Sequence, residues 1–451
     1  MSSTWEWLDR LKNKHTSECK WEERRRAEAL ELLANAKGSG SWIELSTHDN
    51  GFVREVAVRE LCNDASPETL VALIVRLNDW VPQIRELARA GLNRYLTPLH
   101  ASALLFALVP LIALAARQRA DHGPTLHAAR AVLQLPETRA QVHADFLTRQ
   151  GKAARYLFAL LLENDPDPQG LLRDALAHRE LIVRLDAVAA CQQLPAQQAS
   201  PLLVEALARQ GAKVRVCVLR ALLPLFEEPR PLLRKALLDA SPAIRSLARW
   251  SAPRHDLDTL EVLDERLAHD HPTGKREWLG ILGLAGEIDA CLDQRWLTAA
   301  LRSSFPTVRQ ATAHLLGEAH LPELLGALDD PCDKVFATAI VRLDKQSWSA
   351  VNALVGEKLD RDWHELSPRR RQQILHLRPG WQQVAYLLQR LEKEPVVEDF
   401  WLRHLNAWCD GRYAVQDSFT PKTEREAVVT KLRDLAAVGL ICKVSVTRFT
   451  R

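Results

Sequence analysis

One phrase of sequence recurs along this chain and restricts the folds that it can adopt. It appears most clearly from Gly170 (GLLRDALAHRELIVRLDAVAAC), from Pro201 (PLLVEALARQGAKVRVCVLRALL) and from Pro231 (PLLRKALLDASPAIRSLARWSA). Each copy contains a leucine pair, an alanine–leucine pair, a short polar turn, an aliphatic residue followed by arginine, and a second apolar stretch. A phased repeat of roughly 30 residues is typical of a supersecondary unit that buries its apolar face against neighbouring copies.

The arginine of this phrase, which we call the anchor, can be followed in both directions. In the three clearest copies it stands eight residues after the last leucine of the first apolar stretch, as Arg184 does after Leu176. Weaker copies carry histidine or phenylalanine there. The predicted anchors are Arg54, Arg85, His127, Arg155, Arg184, Arg215, Arg245, Arg276, Arg309 and Phe336.

Each repeat is predicted to form a pair of α-helices. Ser200-Pro201 opens a first helix, because a serine cap and a proline at the first helical position favour an N-terminus. In a second helix, Ile244, Ala248 and Ala252 recur at helical and not at strand spacing. The expected fold is all-α, a right-handed α-solenoid of about ten helix pairs with a divergent C-terminal cap.

The segments LNDWVPQIRELA, LDASPAIRSLA and LRSSFPTVRQATA resemble HEAT-like repeats, including the short PBS-lyase type found in bacteria. The resemblance covers residues 41–343 and implies an α-solenoid. It also implies that the anchor arginine bonds to an aspartate or a carbonyl of the turn region and joins unit to unit. Asp79 and Asp239, six residues before Arg85 and Arg245, are consistent with that role. The resemblance implies no particular activity.

An uninterrupted apolar run, ASALLFALVPLIALAA at Ala101–Ala116, raises the question of a membrane span. A helix of this length would measure about 24 Å, whereas a bilayer core is about 30 Å thick. The run also falls between Arg85 and His127, where the first helix of a unit belongs. We therefore predict an enlarged buried helix kinked at Pro110, with an exposed apolar docking helix as the alternative.

The repeat divides the chain into three predicted regions. Residues 1–40 are expected to form an N-terminal helical cap, residues 41–345 the HEAT-like solenoid, and residues 346–451 a divergent helical C-terminal cap. In the last region, ICKVSVTRF at 441–449 alternates in a way that predicts a terminal strand. A single strand cannot stand alone, so it would pair with another segment or with a partner.

Composition favours a binding protein without metal or cofactor. The chain has 60 Lys plus Arg and 57 Asp plus Glu, a net charge of +3. Proteins dedicated to nucleic-acid binding are usually much more basic. The eight cysteines form no CxxC pair and suit buried thiols in a reducing compartment, which predicts a cytoplasmic protein. His269-Asp270-His271 is the nearest approach to a ligand set, and we interpret it as a turn. The sequence contains no HExxH, GxxxxGK[ST], GxSxG or GxGxxG motif, so no catalytic residue is expected.

Two sets of residues are candidates for partner binding. Positions four and five after an anchor leave the apolar stripe and are predicted to line the concave face of the solenoid. That set comprises Arg59, Arg89, Arg220, Arg249, Trp250 and His314. The second set is a basic patch in SPRRRQQILHLRPGW, where arginines beside an aromatic ring could contact phosphate or a base. It comprises Arg369, Arg370, Arg371, Arg378 and Trp381.

These features favour a non-enzymatic scaffold or adaptor that binds another protein or peptide on its concave face. The alternative is a nucleic-acid-binding protein similar to HEAT-like alkylpurine DNA glycosylases, which use a basic concave face, an aspartate and tryptophans. The chain offers some of these residue types at Arg220, Arg249, Trp250 and Trp278. No aspartate is placed convincingly beside them. A third hypothesis, a lyase acting on a tetrapyrrole, matches no residue of the chain.

Overall fold

A computed structural model describes residues 20–449 apart from 33, 35, 37, 164, 210, 395–397, 411–416 and 418. These residues form α-helices joined by turns and short 3-10 segments, and none of them lies in a β-strand. The all-α prediction is therefore confirmed. The chain divides into two compact units, Met1–Glu227 and Glu228–Arg451, which we describe separately.

The helices of the first unit are mostly short, and polar turns separate them. They are α1 (20–32), α2 (Gly38–Leu45), α3 (Gly51–Leu61), α4 (Pro67–Arg76), α5 (Pro82–Asn93), α6 (Ala101–Phe106), α7 (Leu108–Leu114), α8 (Gly123–Leu133), α9 (Arg139–Thr148), α10 (Gly151–Glu163), α11 (Gln169–Ala177), α12 (Leu181–Cys191), α13 (Ala196–Leu207) and α14 (Ala212–Leu222).

The second unit continues with helices of similar length. They are α15 (Arg230–Leu237), α16 (Pro242–Ser251), α17 (Thr259–Leu267), α18 (Lys275–Glu287), α19 (Gln294–Leu301), α20 (Pro306–Leu315), α21 (Leu321–Gly326), α22 (Asp333–Asp344), α23 (Trp348–Asp362), α24 (Pro368–Leu375), α25 (Gly380–Lys393), α26 (Glu398–Asp410), α27 (Lys422–Ala437) and α28 (Lys443–Phe449).

Packing between helices follows a regular order within each unit. Helices adjacent in sequence pack as pairs, for example α4 with α5, α11 with α12, and α19 with α20. The second helices of successive pairs also contact one another. These contacts join α3 to α5, α10 to α12, α12 to α14, and α18 to α20. First helices pack in the same way: α11 contacts α13, and α15 contacts α17. Each unit thus contains helix pairs arranged with first helices against first helices and second helices against second helices.

Local chemistry explains where these pairs begin. Ser66 caps α4 by accepting a hydrogen bond from the backbone N–H of Thr69 at 3.2 Å, and Pro67 occupies the first helical position. Pro242 likewise begins the second helix of its pair. Serine caps satisfy otherwise unpaired N–H groups, and proline loses nothing at a position where its missing N–H has no intrahelical partner.

The anchor arginines hold the turns from which their helices start. Four of them donate from Nη1 to a backbone carbonyl six residues earlier, at 2.7–2.9 Å. These bonds join Arg54 to His48, Arg85 to Asp79, Arg245 to Asp239, and Arg309 to Ser303. The structural role that the sequence predicted for the anchors is confirmed at these four positions.

Three of these arginines also reach a carboxylate further along the chain. Each uses Nε and Nη2 together, so the guanidinium clamps the carboxylate in the bidentate geometry that makes such pairs strong. The pairs are Arg54 with Asp79 (2.9 and 2.9 Å), Arg245 with Glu287 (3.2 and 2.5 Å), and Arg309 with Asp330 (2.6 and 2.9 Å). Each arginine therefore ties its own turn to a later helix pair.

The apolar run at Ala101–Ala116 does not form the single, fully buried helix that was predicted. It forms two short helices that are buried on one side only. The helix breaks at Ala107, between α6 and α7, and not at Pro110. This break places Pro110 in the first turn of α7, where a missing N–H costs no helical hydrogen bond. Phe106 and Val109 face outward while Leu104 and Leu108 are buried. Among the described residues, no helix has the length and apolarity to span a membrane.

The predicted strand at 441–449 is wrong, because Lys443–Phe449 is the helix α28. A strand would place Val444 and Val446 on the same face, whereas Val444 is 59% exposed and Val446 only 2%. α28 packs against α26 and α27, and Ser445 hydrogen-bonds to Asp410. A helix satisfies its own backbone groups, which a lone terminal strand cannot do. The predicted boundaries at 40/41 and 345/346 remain predictions, and residues 1–19 lie outside the described part of the chain.

Candidate functional site

The predicted binding residues occupy matching places on second helices. Five of the six are exposed, and each lies four or five residues after its anchor. They are Arg59 on α3, Arg89 on α5, Arg220 on α14, Trp250 on α16 and His314 on α20. The first three belong to the first unit and the other two to the second.

Second helices pack against second helices within each unit. The predicted rule holds only in part, because position four is buried at Val58, Leu219 and Ala313, and position five is buried at Leu160 and Ile281. Position four lies on the same helix face as the anchor, which itself points into the packing between helices.

Two of the three candidate arginines in the first unit pair with glutamates of their own helices. Arg59 pairs with Glu55 at 2.9 Å, and Arg89 pairs with Glu86 at 2.7 Å. Both are surface pairs, which contribute little to stability. Arg220, the third, is exposed, so the set contains charged groups of both signs.

On α16 the two adjacent candidates differ in availability. Arg249 is half-buried, donates to the backbone oxygen of Glu287 at 3.1 Å and lies 3.2 Å from its carboxylate, so it supports the Arg245–Glu287 pair. Trp250 is 62% exposed, with the guanidinium of Arg254 stacked 3.6 Å from its ring centre. Tryptophan contributes large binding energies when a partner covers it. Trp250 is therefore the stronger candidate of the two.

The sequence analysis missed a second exposed tryptophan. Trp80, in the turn between α4 and α5, is 76% exposed, and the Arg119 guanidinium lies 3.6 Å from its ring centre. A groove of about 290 Å³ beside it is lined by Val75, Pro110 and Ala113. The sequence did contain a signal for Trp80, namely a large aromatic residue in the otherwise polar turn NDWVPQ.

The predicted basic patch does not form one surface. Arg369 is exposed, whereas Arg370 donates to the Asp330 carbonyl and to the Asp333 carboxylate, both at 2.8 Å. Interaction with Arg370 lowers the pKa of Asp333. Arg369 is therefore exposed to solvent, whereas Arg370 is bound to α22 and to the turn before it.

The remaining members of the patch are buried or line a different feature. Arg371 is buried and donates to the Leu366 carbonyl at 3.0 Å, with its guanidinium near the Trp363 ring. Trp381 is buried as well. Arg378 lines a large cleft of about 1210 Å³. Neither of the two buried side chains can meet a ligand on the surface.

The residues proposed for base recognition and for metal binding do not form such sites among the described residues. Trp278 is 4% exposed, and its ring packs 5.5 Å from that of Trp296 and 5.8 Å from that of His271. It belongs to the core and is not available to stack on a base. In the described part of the chain, no group of three or more His, Cys, Asp or Glu is arranged to hold a metal ion.

His314 is expected to titrate below pH 6.5. The His314 side chain is exposed, but its ring is partly desolvated by the surrounding protein, which lowers its pKa, and the nearby charges of Arg342 and Lys345 oppose protonation further. The imidazole is then neutral near pH 7 and offers a partner one donor and one acceptor. Nitrogen-15 NMR titration will check this, with the His314→Gln variant identifying the resonance. A midpoint at or above pH 6.5 would contradict the expectation.

Comparisons with protein families and with curated protein sequences find no match to this chain. Its class is therefore described from its own features. It is an all-α protein of paired helices, with arginine-anchored turns and an exposed, mixed-charge face on its second helices.

Proposed function

We propose that this protein is a non-enzymatic scaffold of the HEAT-like α-solenoid type, which binds another protein on the face formed by its second helices. The supporting observation is that several second helices carry an exposed side chain four or five residues after the anchor. These are Arg59, Arg89 and Arg220 in the first unit, and Trp250 and His314 in the second. The packing of like helices against each other within each unit supports the solenoid arrangement. The free cysteines of the described residues suit the cytoplasm.

The charges on this face favour a protein over a nucleic acid. Nucleic-acid affinity arises mainly from basic side chains that neutralise phosphates and release counterions. Here Arg59, Arg89 and Arg249 already have carboxylate partners within the chain. A polar face of mixed charge with an exposed tryptophan resembles the composition of protein interfaces, where Arg and Trp contribute most.

The test is affinity capture with the tagged full-length protein in lysate of its own host. Capture should be run at low and high salt, with and without nuclease. We expect one protein to be recovered in near-equal amount under all conditions. The triple variant Arg89→Ala, Arg220→Ala, Trp250→Ala should recover about tenfold less of it, because truncating exposed Arg and Trp at an interface removes hot-spot contacts.

A matched control is available on first helices. Arg173 on α11 is exposed, Arg234 on α15 is half-buried, and both are paired with glutamates. The double variant Arg173→Ala, Arg234→Ala should capture the partner as the wild type does, and circular dichroism should show that both variants fold. Equal recovery by the triple variant would refute the proposed face. Recovery of nucleic acid that is lost between about 50 and 200 mM salt would instead support the nucleic-acid alternative.

A further inference from the structure

A large cleft lies in the second unit, lined by none of the predicted second-helix binding residues. It measures about 1210 Å³ and opens between the end of α22, the start of α23, the turn before α25 and the segment leading into α27. Pockets for small ligands are commonly about 300–1,000 Å³. The cleft is therefore large enough for an extended small molecule.

Two arginines line this cleft without a carboxylate partner in the described part of the chain. Arg378 lies with its guanidinium 4.8 Å from the ring centre of Tyr386 and 5.8 Å from that of Trp348. Its Nε is buried and has no acceptor among the described residues, and the same is true of the Nε of Arg425, on α27. Burial lowers the pKa of Arg378, because the charged guanidinium loses hydration there. A bound anion would replace that lost hydration.

Two carboxylates, Asp344 and Asp417, line the cleft, and neither forms an ion pair with Arg378 or Arg425 among the described residues. Asp417 accepts hydrogen bonds from the Thr420 hydroxyl at 2.7 Å and from the backbone N–H groups of Phe419, Thr420 and Trp381 at 2.9–3.1 Å. Burial would raise its pKa, but these bonds outweigh burial and lower it. Its oxygens are thus occupied by local donors. Asp360, which is close enough to Arg378 to interact electrostatically, is paired with Arg390 at 3.3 Å.

Aromatic surface adjoins the two guanidinium groups. Phe419 is 69% exposed and lines the cleft. The Trp348 indole also lines it, and its orientation is held by a 2.8 Å hydrogen bond from Nε1 to Gln382 Oε1. Arginines bind phosphate with bidentate geometry, and aromatic rings stack on nucleobases.

We infer that this cleft is a nucleoside-phosphate site, in which Arg378 and Arg425 bind the phosphate and Phe419 and Trp348 contact the base. The inference is independent of the scaffold proposal, since it uses none of the second-helix residues. It also explains why Arg378 departs from the rest of the predicted basic patch. The ligand class follows from the pairing of unneutralised guanidinium groups with exposed aromatic surface in one cleft.

The experiment is isothermal titration of the full-length protein with AMP and GMP, and separately with inorganic phosphate and with adenosine. We expect saturable binding of at least one nucleotide with a Kd of about 1 mM or tighter, and at least about tenfold weaker binding of phosphate and of adenosine. Arg425→Gln and Phe419→Ala should each weaken nucleotide binding, the arginine variant by about tenfold or more.

The matched control is Arg433→Gln, because Arg433 is exposed on the same helix as Arg425 but does not line the cleft. It should bind as the wild type does. Arg378→Gln should also abolish binding. Because Arg378 is largely enclosed, this variant could fail to fold, and the Arg425→Gln and Phe419→Ala variants then test the site in its place. The inference would be overturned by the absence of saturable nucleotide binding, by equal binding of inorganic phosphate, or by wild-type affinity in the Arg425 variant.

Discussion

Replacing Asp79 with alanine should lower the free energy of unfolding of the first unit by about 3–5 kcal/mol, since removing one partner of a buried ion pair leaves the other charge uncompensated. Asp79 is buried and accepts two bonds from Arg54, both at 2.9 Å, one from Arg76 at 3.0 Å and one from the Val81 backbone N–H at 3.0 Å. Arg54 itself is buried, so its charge would be left without a counterion.

The loss should be measured by urea denaturation followed by circular dichroism, with hydrogen exchange in α3 and α5 reporting on the first unit. Glu55→Ala is the control, because it removes a carboxylate from the exposed pair with Arg59 and should change stability by less than about 1 kcal/mol. The double variant Arg54→Met, Asp79→Leu should regain part of the loss, since apolar replacement of a buried pair is often neutral, although Arg76 then lacks its carboxylate partner. A loss for Asp79→Ala no larger than for Glu55→Ala would contradict this account.

The same pair predicts the direction of a pH effect. Burial opposes the charged form of Asp79, but the hydrogen bond from Arg54 and the other donors outweigh it, and the pKa is lowered. A carboxyl whose pKa is lower in the folded state than in the unfolded state stabilises the fold above the unfolded value of about 3.9. That contribution is lost as the pH falls through the folded pKa. The wild type should therefore lose more stability than the double variant on acidification from about pH 5.

Gly280→Ala should destabilise the second unit by about 3 kcal/mol or more, at or beyond the upper end of the usual cost of overpacking. A Cβ at position 280 of α18 would overlap the carbonyl oxygen of Leu238 and lie 2.7 Å from its carbonyl carbon. Leu238 follows directly after α15, and a backbone group cannot rotate away as a flexible side chain can. The helices would have to separate, which would open the surrounding core.

Gly326→Ala is the matched control for this prediction. Gly326 ends α21 with φ −58°, and a Cβ there would meet nothing within 4 Å. Alanine at such a position should be neutral or stabilise by up to about 1 kcal/mol, because it restricts the unfolded chain. Thermal and urea unfolding of both variants will decide. Equal stability of Gly280→Ala and the wild type would show that α18 has room that the structure does not give it.

The position of the helix pairs was open to prediction because its causes are local. The spacing from Leu176 to Arg184 matches the turn between α11 and α12, and proline at position 242 begins α16. Caps, proline geometry and apolar periodicity act over a few residues, so they can be seen without the fold. Position five after an anchor is exposed at Arg59 and Arg220 but buried at Leu160 and Ile281, so helical geometry alone did not decide which of these positions face outward.

The partners of the anchors were only half predicted. The resemblance associated Asp79 with Arg85, and the structure does join them, but through the Asp79 carbonyl. The carboxylate of Asp79 instead binds Arg54, in the preceding helix pair. Which of two nearby arginines receives a carboxylate depends on how successive pairs pack, and that is a distance across the fold, not along the chain.

The sequence alone therefore determined the helical class and the pairing of helices, because both depend on neighbours within about one or two helical turns. Only the tertiary structure decided the break at Ala107, the helix at Lys443–Phe449 and the close approach at Gly280. It also decided that Arg371 is buried while Arg378 lines a cleft. These outcomes depend on what lies across from each residue, and burial and charge compensation are properties of segments brought together by packing.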